Sequence, residues 1–312
     1  MLTCLALLSI LAGCTNAPSD SGASTSQPNT TRNETTTQTT VPETTEPVTT
    51  VPETTVPETT VPQPTQPQPT EPTKPNTLYS RAELEAMDTT KIGYGQGIRV
   101  DEKNRPYGAV DEQKKYGQYD AYFIMPEDGN IYLTFDEGYE NGYTSRILDV
   151  LKEKQTKAVF FVTMDYCKGN PDLVRRMIDE GHVVGNHSVH HKSMPTLDID
   201  TMIQEVVGLH EYVSETFGYE MSLFRPPMGE FSQQSLAVLQ DLGYKTVNWS
   251  FAYYDYDPED QMDPEKAYNK VTGAAHSGAI YLLHAISETN TEILADVIDG
   301  LRARGYNLEL FS

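Results

Sequence analysis

Ile131-Tyr132-Leu133-Thr134-Phe135-Asp136-Glu137-Gly138 is an apolar run of strand length that ends abruptly in two carboxylates and a glycine. Six further short apolar runs follow it, at 158–162, 182–186, 222–225, 245–249, 279–283 and 306–310. Between them lie helical stretches at 143–154, 171–180, 200–217, 232–242, 264–276 and 289–304. Ile147, Leu148 and Leu151 share one face of the first helix, and Leu173, Met177 and Ile178 one face of the second. Such alternation predicts parallel strands joined by right-handed helical crossovers. Seven strands predict an α/β fold of the distorted, incomplete (β/α) barrel type, with an open doubly wound sheet as the alternative. The polar residues favour the barrel. Asp136-Glu137, His187–His191, Arg225 and His284 each follow a strand, and a parallel barrel gathers its strand C-termini on one face.

The chemistry of those strand ends is specific. Side chains alternate along a strand, so Asp136 and Glu137 point in different directions; one could ligate a metal while the other takes a proton from water. Alone the pair says little, because adjacent acids are usually solvated. His187 and His191 are four residues apart, a spacing that in a helical turn puts two imidazoles on one metal, with Asn186 as a cap. Three of the chain's seven histidines lie in this stretch; His190 points elsewhere on such a turn and reads as structural. In Arg225-Pro226-Pro227-Met228-Gly229 two prolines remove two backbone donors and stiffen the loop, leaving the Met228 N–H for an oxyanion. His284, at the end of Leu282-Leu283-His284, has the residue type of a general acid near neutral pH, although a lone histidine is more often structural.

Taken in order, TFDEG at 134–138, HSVHH at 187–191, RPPMG at 225–229 and LLH at 282–284 resemble the motifs of the NodB-homology polysaccharide deacetylases, carbohydrate esterase family 4, over about 130–312. The resemblance implies a NodB-type barrel and a metal-dependent hydrolase, usually with zinc, that removes acetyl groups from N-acetylated sugars. It also implies roles: Asp136 as catalytic base, His187 and His191 as metal ligands, His284 as general acid and Arg225 as the residue that orients the base. Two positions depart from the pattern. Glu137 stands where the family has a metal-binding Asp, so it is the candidate third ligand with an arm one methylene longer. Ala252 stands where many members carry an Asp that tunes the acid, and Asp255 is the nearby substitute. Phe135-Asp136, Gly138–Thr144, Gly185–Ser188 and Ala279–His284 resemble in particular the branch that deacetylates N-acetylmuramic acid on the way to δ-lactam, and 93–124 is similar to the cap of that group.

The rest of the 312-residue chain carries no catalytic signal. Residues 2–12 are apolar but too short for a membrane span, and Leu11-Ala12-Gly13-Cys14 resembles the lipobox of bacterial lipoproteins. The resemblance implies a signal peptide at 1–14, a lipid anchor on Cys14, and a location on the outer face of the bacterial cell membrane. The Lys or Arg usual at the start of such a leader is missing, which implies a start upstream. Residues 15–77 are rich in Thr, Pro and Glu, with Val-Pro-Glu-Thr-Thr at 41–45, 51–55 and 56–60, and read as a disordered, semi-rigid stalk. Turn-rich 78–125 reads as an irregular cap, and 126–312 as the deacetylase domain.

The net charge is −22, of which the stalk contributes −5, leaving no electrostatic footprint for nucleic acid. Cys167 is the one cysteine outside the leader, so no disulfide is expected within the domain. The expected molecule is a monomer acting on peptidoglycan. Deacetylation of chitin (GlcNAc) or acetylxylan, and a non-catalytic wall-binding role motivated by Glu137 and Ala252, are the alternatives.

Overall fold

The computed structural model describes residues 78–312; the Cys14 lipobox and the stalk at 15–77 lie outside the described residues. The N-terminal part holds α1 (Arg81–Ala86), β1 (Ile92–Gly93), α2 (Tyr107–Tyr116) and β2 (Ala121–Tyr122). There follow β3 (Asn130–Glu137), α3 (Thr144–Glu153), β4 (Val159–Val162), α4 (Met164–Gly169), α5 (Pro171–Asp179), β5 (Val183–Asn186), α6 (Ile199–Phe217), β6 (Leu223–Phe224) and β7 (Glu230–Phe231). The chain ends with α7 (Gln233–Asp241), β8 (Lys245–Val247), α8 (Pro264–Gly273), β9 (Ala279–His284), α9 (Glu288–Ala303) and β10 (Asn307–Leu308).

The seven expected strands are all present and all parallel: β4, β9 and β10 pair with β3, β5 with β4, β6 with β5, and β8 with β6. Helices cover the outside because the sequence caps and patterns them. Asp198 accepts from the N–H of Thr201 to start α6, which stops at Gly218 in the left-handed conformation (φ 66°). Ser232 and Ser235 cap α7 reciprocally, and Ser287 accepts from Asn290 to start α9.

Strand parity sorts the side chains. Tyr132, Val159, Phe161, Leu223, Val247 and Ile280 form one buried cluster with Phe311, which fills the barrel interior. Their neighbours Ile131, Leu133, Phe135, Phe160, Val162 and Phe224 belong to the larger core between strands and helices. Gly185 has inward parity but leaves its place to a neighbour, since a Cβ there would lie 2.5 Å from the ring of Phe161.

The stretch expected to be an irregular cap is more ordered than its glycines and prolines suggest. It contributes the ten-residue α2 and an eighth parallel strand, β2, which pairs with β8. β2 also helps to close the barrel: Asn248 N–H donates to Tyr122 O, and Met125 N–H donates to Gly278 O just before β9. Further along, Phe251 bridges directly to Tyr281 of β9. Local turn signals cannot show this closure, because its partners are more than a hundred residues away. β1 pairs antiparallel with β7, tying the cap to the loop after Arg225.

Gly278 sits at φ 77°, and a Cβ on it would stand 2.2 Å from the carbonyl oxygen of Met125. Gly278→Ala is therefore expected to cost about 2–4 kcal/mol by strain and backbone displacement. Urea denaturation reads this as a lower midpoint; an unchanged midpoint would show that closure does not need the glycine.

Candidate active site

The C-terminal ends of the strands surround a cavity of about 690 Å³. Asp136, His187, His191, Met228 and His284 line it, and Arg225 lies buried behind. Asp136, Arg225 and His284 lie an even number of residues beyond Tyr132, Leu223 and Ile280 of the interior cluster, and His187 an even number beyond Val183, which packs against it, so all four share the inward parity.

Arg225 is fully buried and every arm of its guanidinium is engaged. Nη1 donates to Asp136 Oδ1 at 2.7 Å, Nε to Val247 O at 2.9 Å and Nη2 to Asn248 O at 3.2 Å, while the plane lies 4.2 Å from the centre of the Phe161 ring. Burial alone would raise the Asp136 pKa. The charges of Arg225, His187 and His284 outweigh it and hold the carboxyl below its ordinary value. Asp136 is thus an ionised carboxylate facing the cavity.

The histidine stretch is not a helical turn. Ser188 (φ 70°) and His191 (φ 53°) are left-handed, and no helix is assigned at 187–191. The backbone bonds that a helix would make go elsewhere: Ser188 N–H to Asn186 Oδ1, Val189 N–H to Glu205 O, and His190 N–H to Glu205 Oε2. Glu205, nearly inaccessible on α6, also meets His190 Nδ1 at 2.8 Å and Lys192 Nζ at 3.2 Å. The loop nevertheless brings the rings of His187 and His191 to 4.8 Å. His190 holds the loop to α6.

His187 Nδ1 is 2.8 Å from the carbonyl oxygen of Arg225, an acceptor, so Nδ1 carries the hydrogen and Nε2 presents a lone pair. That Nε2 stands 3.6 Å from Asp136 Oδ2. Burial pulls the His187 pKa down to about 4 despite Asp136, and burial also lowers that of His191. Two neutral imidazoles beside a carboxylate suit a divalent ion of the zinc type. Among the described residues, however, no ready group of three ligating side chains is present.

Glu137 explains the shortfall. It is one residue out of phase with Asp136, fully buried, and does not line the cavity. Its Oε2 lies 3.5 Å from Thr144 Oγ1, and its Oε1 has no hydrogen-bond partner. Burial, with the charges of Glu140 and Asp136, pushes its pKa well above the ordinary value, which favours the neutral carboxyl.

His284 meets Asp255 twice: Nδ1 lies 2.7 Å from Asp255 Oδ1, and the backbone N–H donates to Oδ2 at 2.9 Å. Burial lowers the imidazole pKa, but the hydrogen bond and charge of Asp255, with the charge of Asp136, more than offset it, and the pKa is raised above 6.5. Asn290 Nδ2 donates to Asp255 Oδ2 at 2.6 Å, and Tyr253 OH donates to Asn290 Oδ1. Asp255 thus makes with His284 the contact for which Ala252 has no carboxylate. Asn290, Tyr253 and Glu205 are supporting residues that no motif marks; the one sequence signal is the alternation of Tyr253 and Asp255 with their outward neighbours.

Met228 is left-handed (φ 59°) and lines the cavity. Neither preceding proline has an N–H, so its own is the first amide after Arg225. The cap braces this region. Tyr94 N–H donates to Gly229 O, Tyr94 OH to Trp249 O, and Trp249 Nε1 to Gln96 Oε1.

The polysaccharide deacetylase family profile matches residues 125–247. The peptidoglycan-N-acetylmuramic acid deacetylase PdaA of Bacillus subtilis is 40% identical over 73% of this chain and 87% of that protein. The chain belongs to the polysaccharide deacetylase family. The structure of Bacillus subtilis PdaA, a family 4 carbohydrate esterase, aligns with a TM-score of 0.68 at 39% identity over 72% of this chain and 96% of the other. A family 4 carbohydrate esterase from Bacillus anthracis gives 0.60 at 36% over the same shares. A peptidoglycan-N-acetylglucosamine deacetylase of Bacillus cereus is 32% identical over 60% of this chain and 89% of that protein. The protein is therefore a carbohydrate N-deacetylase with the NodB barrel, in a family whose deacetylases are in general metalloenzymes.

The outward position of Glu137 in this deacetylase has a measurable consequence. Glu137→Gln is expected to leave zinc affinity within about twofold, whereas loss of a true ligand or its immediate support costs about 10–100-fold. A competition titration with a chromogenic chelator distinguishes the two.

Proposed function

We propose that the protein removes the N-acetyl group from N-acetylmuramic acid residues of peptidoglycan, outside the cytoplasm and tethered by a lipid on Cys14. The observation that carries the substrate is the 40% identity to an N-acetylmuramic acid deacetylase over 87% of that protein's length. The N-acetylglucosamine enzyme, 32% identical over 60% of this chain against 40% over 73%, favours the same reading. The tether rests on the Leu11–Cys14 lipobox alone.

In this reading His187 and His191 hold a divalent metal, zinc by preference, with neutral Nε2 of His187 turned to the cavity. Such a metal, when bound, supplies Lewis acidity toward the acetyl carbonyl and acidity to water. The chain's own groups do the proton work. Asp136, ionised and fixed by Arg225, accepts a proton from the attacking water. The Met228 N–H faces the oxygen that becomes negative as the carbonyl carbon turns tetrahedral. His284, whose pKa Asp255 raises, gives a proton from its imidazolium form to the sugar nitrogen as the C–N bond breaks, releasing acetate and the amine.

Asp136→Asn is expected to lower acetate release by about 10²–10⁴-fold, with the fold kept by circular dichroism at the assay temperature although the stranded Arg225 charge lowers its stability. Near-normal turnover in that variant would remove Asp136 from the role of base. Mass spectrometry of peptidoglycan fragments after incubation tests the substrate: loss of acetyl from muramic acid supports the reading, and loss from glucosamine alone overturns it.

The acid has its own signature in pH. The imidazolium is the donor, so turnover falls as pH rises through the His284 pKa, which Asp255 raises. Asp255→Asn is expected to move the alkaline limb of kcat to lower pH. A limb that stays in place would assign it to another group.

A further inference from the structure

Gln96 reaches out of the cap with both ends of its amide engaged. Its Oε1 accepts from Trp249 Nε1 at 2.9 Å, and its Nε2 donates to the carbonyl oxygen of Ala252 at 2.9 Å. The two partners lie three residues apart on the stretch that runs from β8 to Asp255. One planar amide, donor on one side and acceptor on the other, therefore staples that stretch into a single shape.

The stretch carries the partner of the acid. Upstream it is pinned to β9, where Phe251 N–H donates to Ile280 O and Leu282 N–H donates to Phe251 O. Downstream Asp255 holds His284 through Nδ1 and the backbone N–H, and Asn290 holds Asp255. Between these pins the main chain has little support of its own. Among the described residues, the backbone of 252–254 takes part in one hydrogen bond, and Gln96 donates it. Loss of Gln96 would leave the Ala252 carbonyl and the Trp249 N–H unpaired, and the main chain just before Asp255 free to shift.

The place of Gln96 is itself enforced from behind. Gly108, the second residue of α2, packs directly on it: a Cβ at Gly108 would stand 2.6 Å from the Gln96 carbonyl oxygen and 3.2 Å from that of Gly95. Real Cβ atoms do not approach so closely, so a larger residue at 108 would push this part of the cap away from α2. On the other side Tyr94 is tied to Gly229 O by its N–H and to Trp249 O by its hydroxyl. The segment is thus set between α2 and the cavity wall.

We propose that Gln96 is a positioning residue for protonation of the leaving amine: by holding Ala252 it sets Asp255, and through Asp255 the imidazole of His284. The assignment rests on the reading of His284 as the general acid. It gives the glycine-rich stretch Gly93–Gly97 a task in the reaction, carried out through the loop it grips.

The test varies the leaving group. The amine of an N-acetyl sugar needs a proton to depart, whereas 4-nitrophenyl acetate releases a stable phenolate that needs none. Gln96→Met keeps the length of the side chain and loses both bonds. In it, kcat/KM for N-acetylated peptidoglycan fragments is expected to fall about tenfold relative to kcat/KM for the aryl ester. Gly108→Ala, which acts on Gln96 from behind, is expected to move the ratio in the same direction. The ratio is taken within one protein and cancels general damage, so an unchanged ratio in both variants overturns the assignment. Hydrogen exchange of the His284 amide, which donates to Asp255, is measured in parallel and needs no turnover. Faster exchange in the two variants, with the amides of β3 unchanged, supports the assignment, and exchange equal to that of the wild type overturns it. If the wild type releases no acetate from any N-acetylated fragment, the substrate reading fails by itself, and the exchange measurement alone then decides the role of Gln96.

Discussion

The structure depends on one buried charge. Arg225 carries its guanidinium into the barrel with no access to solvent, a placement that is costly unless every donor is used. Asp136 neutralises it, the carbonyls of Val247 and Asn248 take its remaining arms, and the ring of Phe161 lies against its face. Residues on or just beyond β3, β4, β6 and β8 are thereby fixed to one another. The same residue's carbonyl orients His187 beyond β5. Removal of either charge would strand the other, a loss of about 3–5 kcal/mol for a buried pair. The interaction that sets the charge state of Asp136 therefore also locks the upper end of the barrel.

Around this pair the site divides into two halves with opposite electrostatics. On one side burial dominates and favours the neutral imidazoles of His187 and His191, the form that the proposed metal ligation requires. On the other, Asp255 overrides burial and keeps His284 disposed to hold a proton. Asp136 stands between the halves, ionised. This division of two histidine environments is the arrangement in which one cavity can host both metal ligation and acid catalysis. The cap contributes by position alone: its contacts with Gly229 and Trp249 brace the loops that form the cavity wall.

Glu137 and the histidine loop show where local reading stops. Alternation along β3 already separates Asp136 from Glu137 in direction, and the structure sends the second acid into the layer between strands and helices. There Thr144 Oγ1 is its hydrogen-bonding neighbour, and the charge of Glu140 adds to burial in raising its pKa. Similarly, the i to i+4 spacing of His187 and His191 suggests a helical turn. The pairing of the rings comes instead from a loop with two left-handed residues, held by Asn186 and Glu205.

The sequence by itself determined the strands, their parallel sense and the place of Asp136, His187, Arg225 and His284 at strand ends on one face, because periodicity and strand-end chemistry are local properties. It also carried the family, because four motifs fell in order with the right spacing. Only the tertiary structure decided that residues 78–125 help to close the barrel, that Asp255, already a candidate from the sequence, meets His284 with Asn290 behind it, and that Glu137 turns away from the cavity. Each of those depends on which atoms packing brings together, which strand and helix patterns alone do not specify. A buried carboxylate takes its role from the partners packing gives it, and those partners are not written beside it.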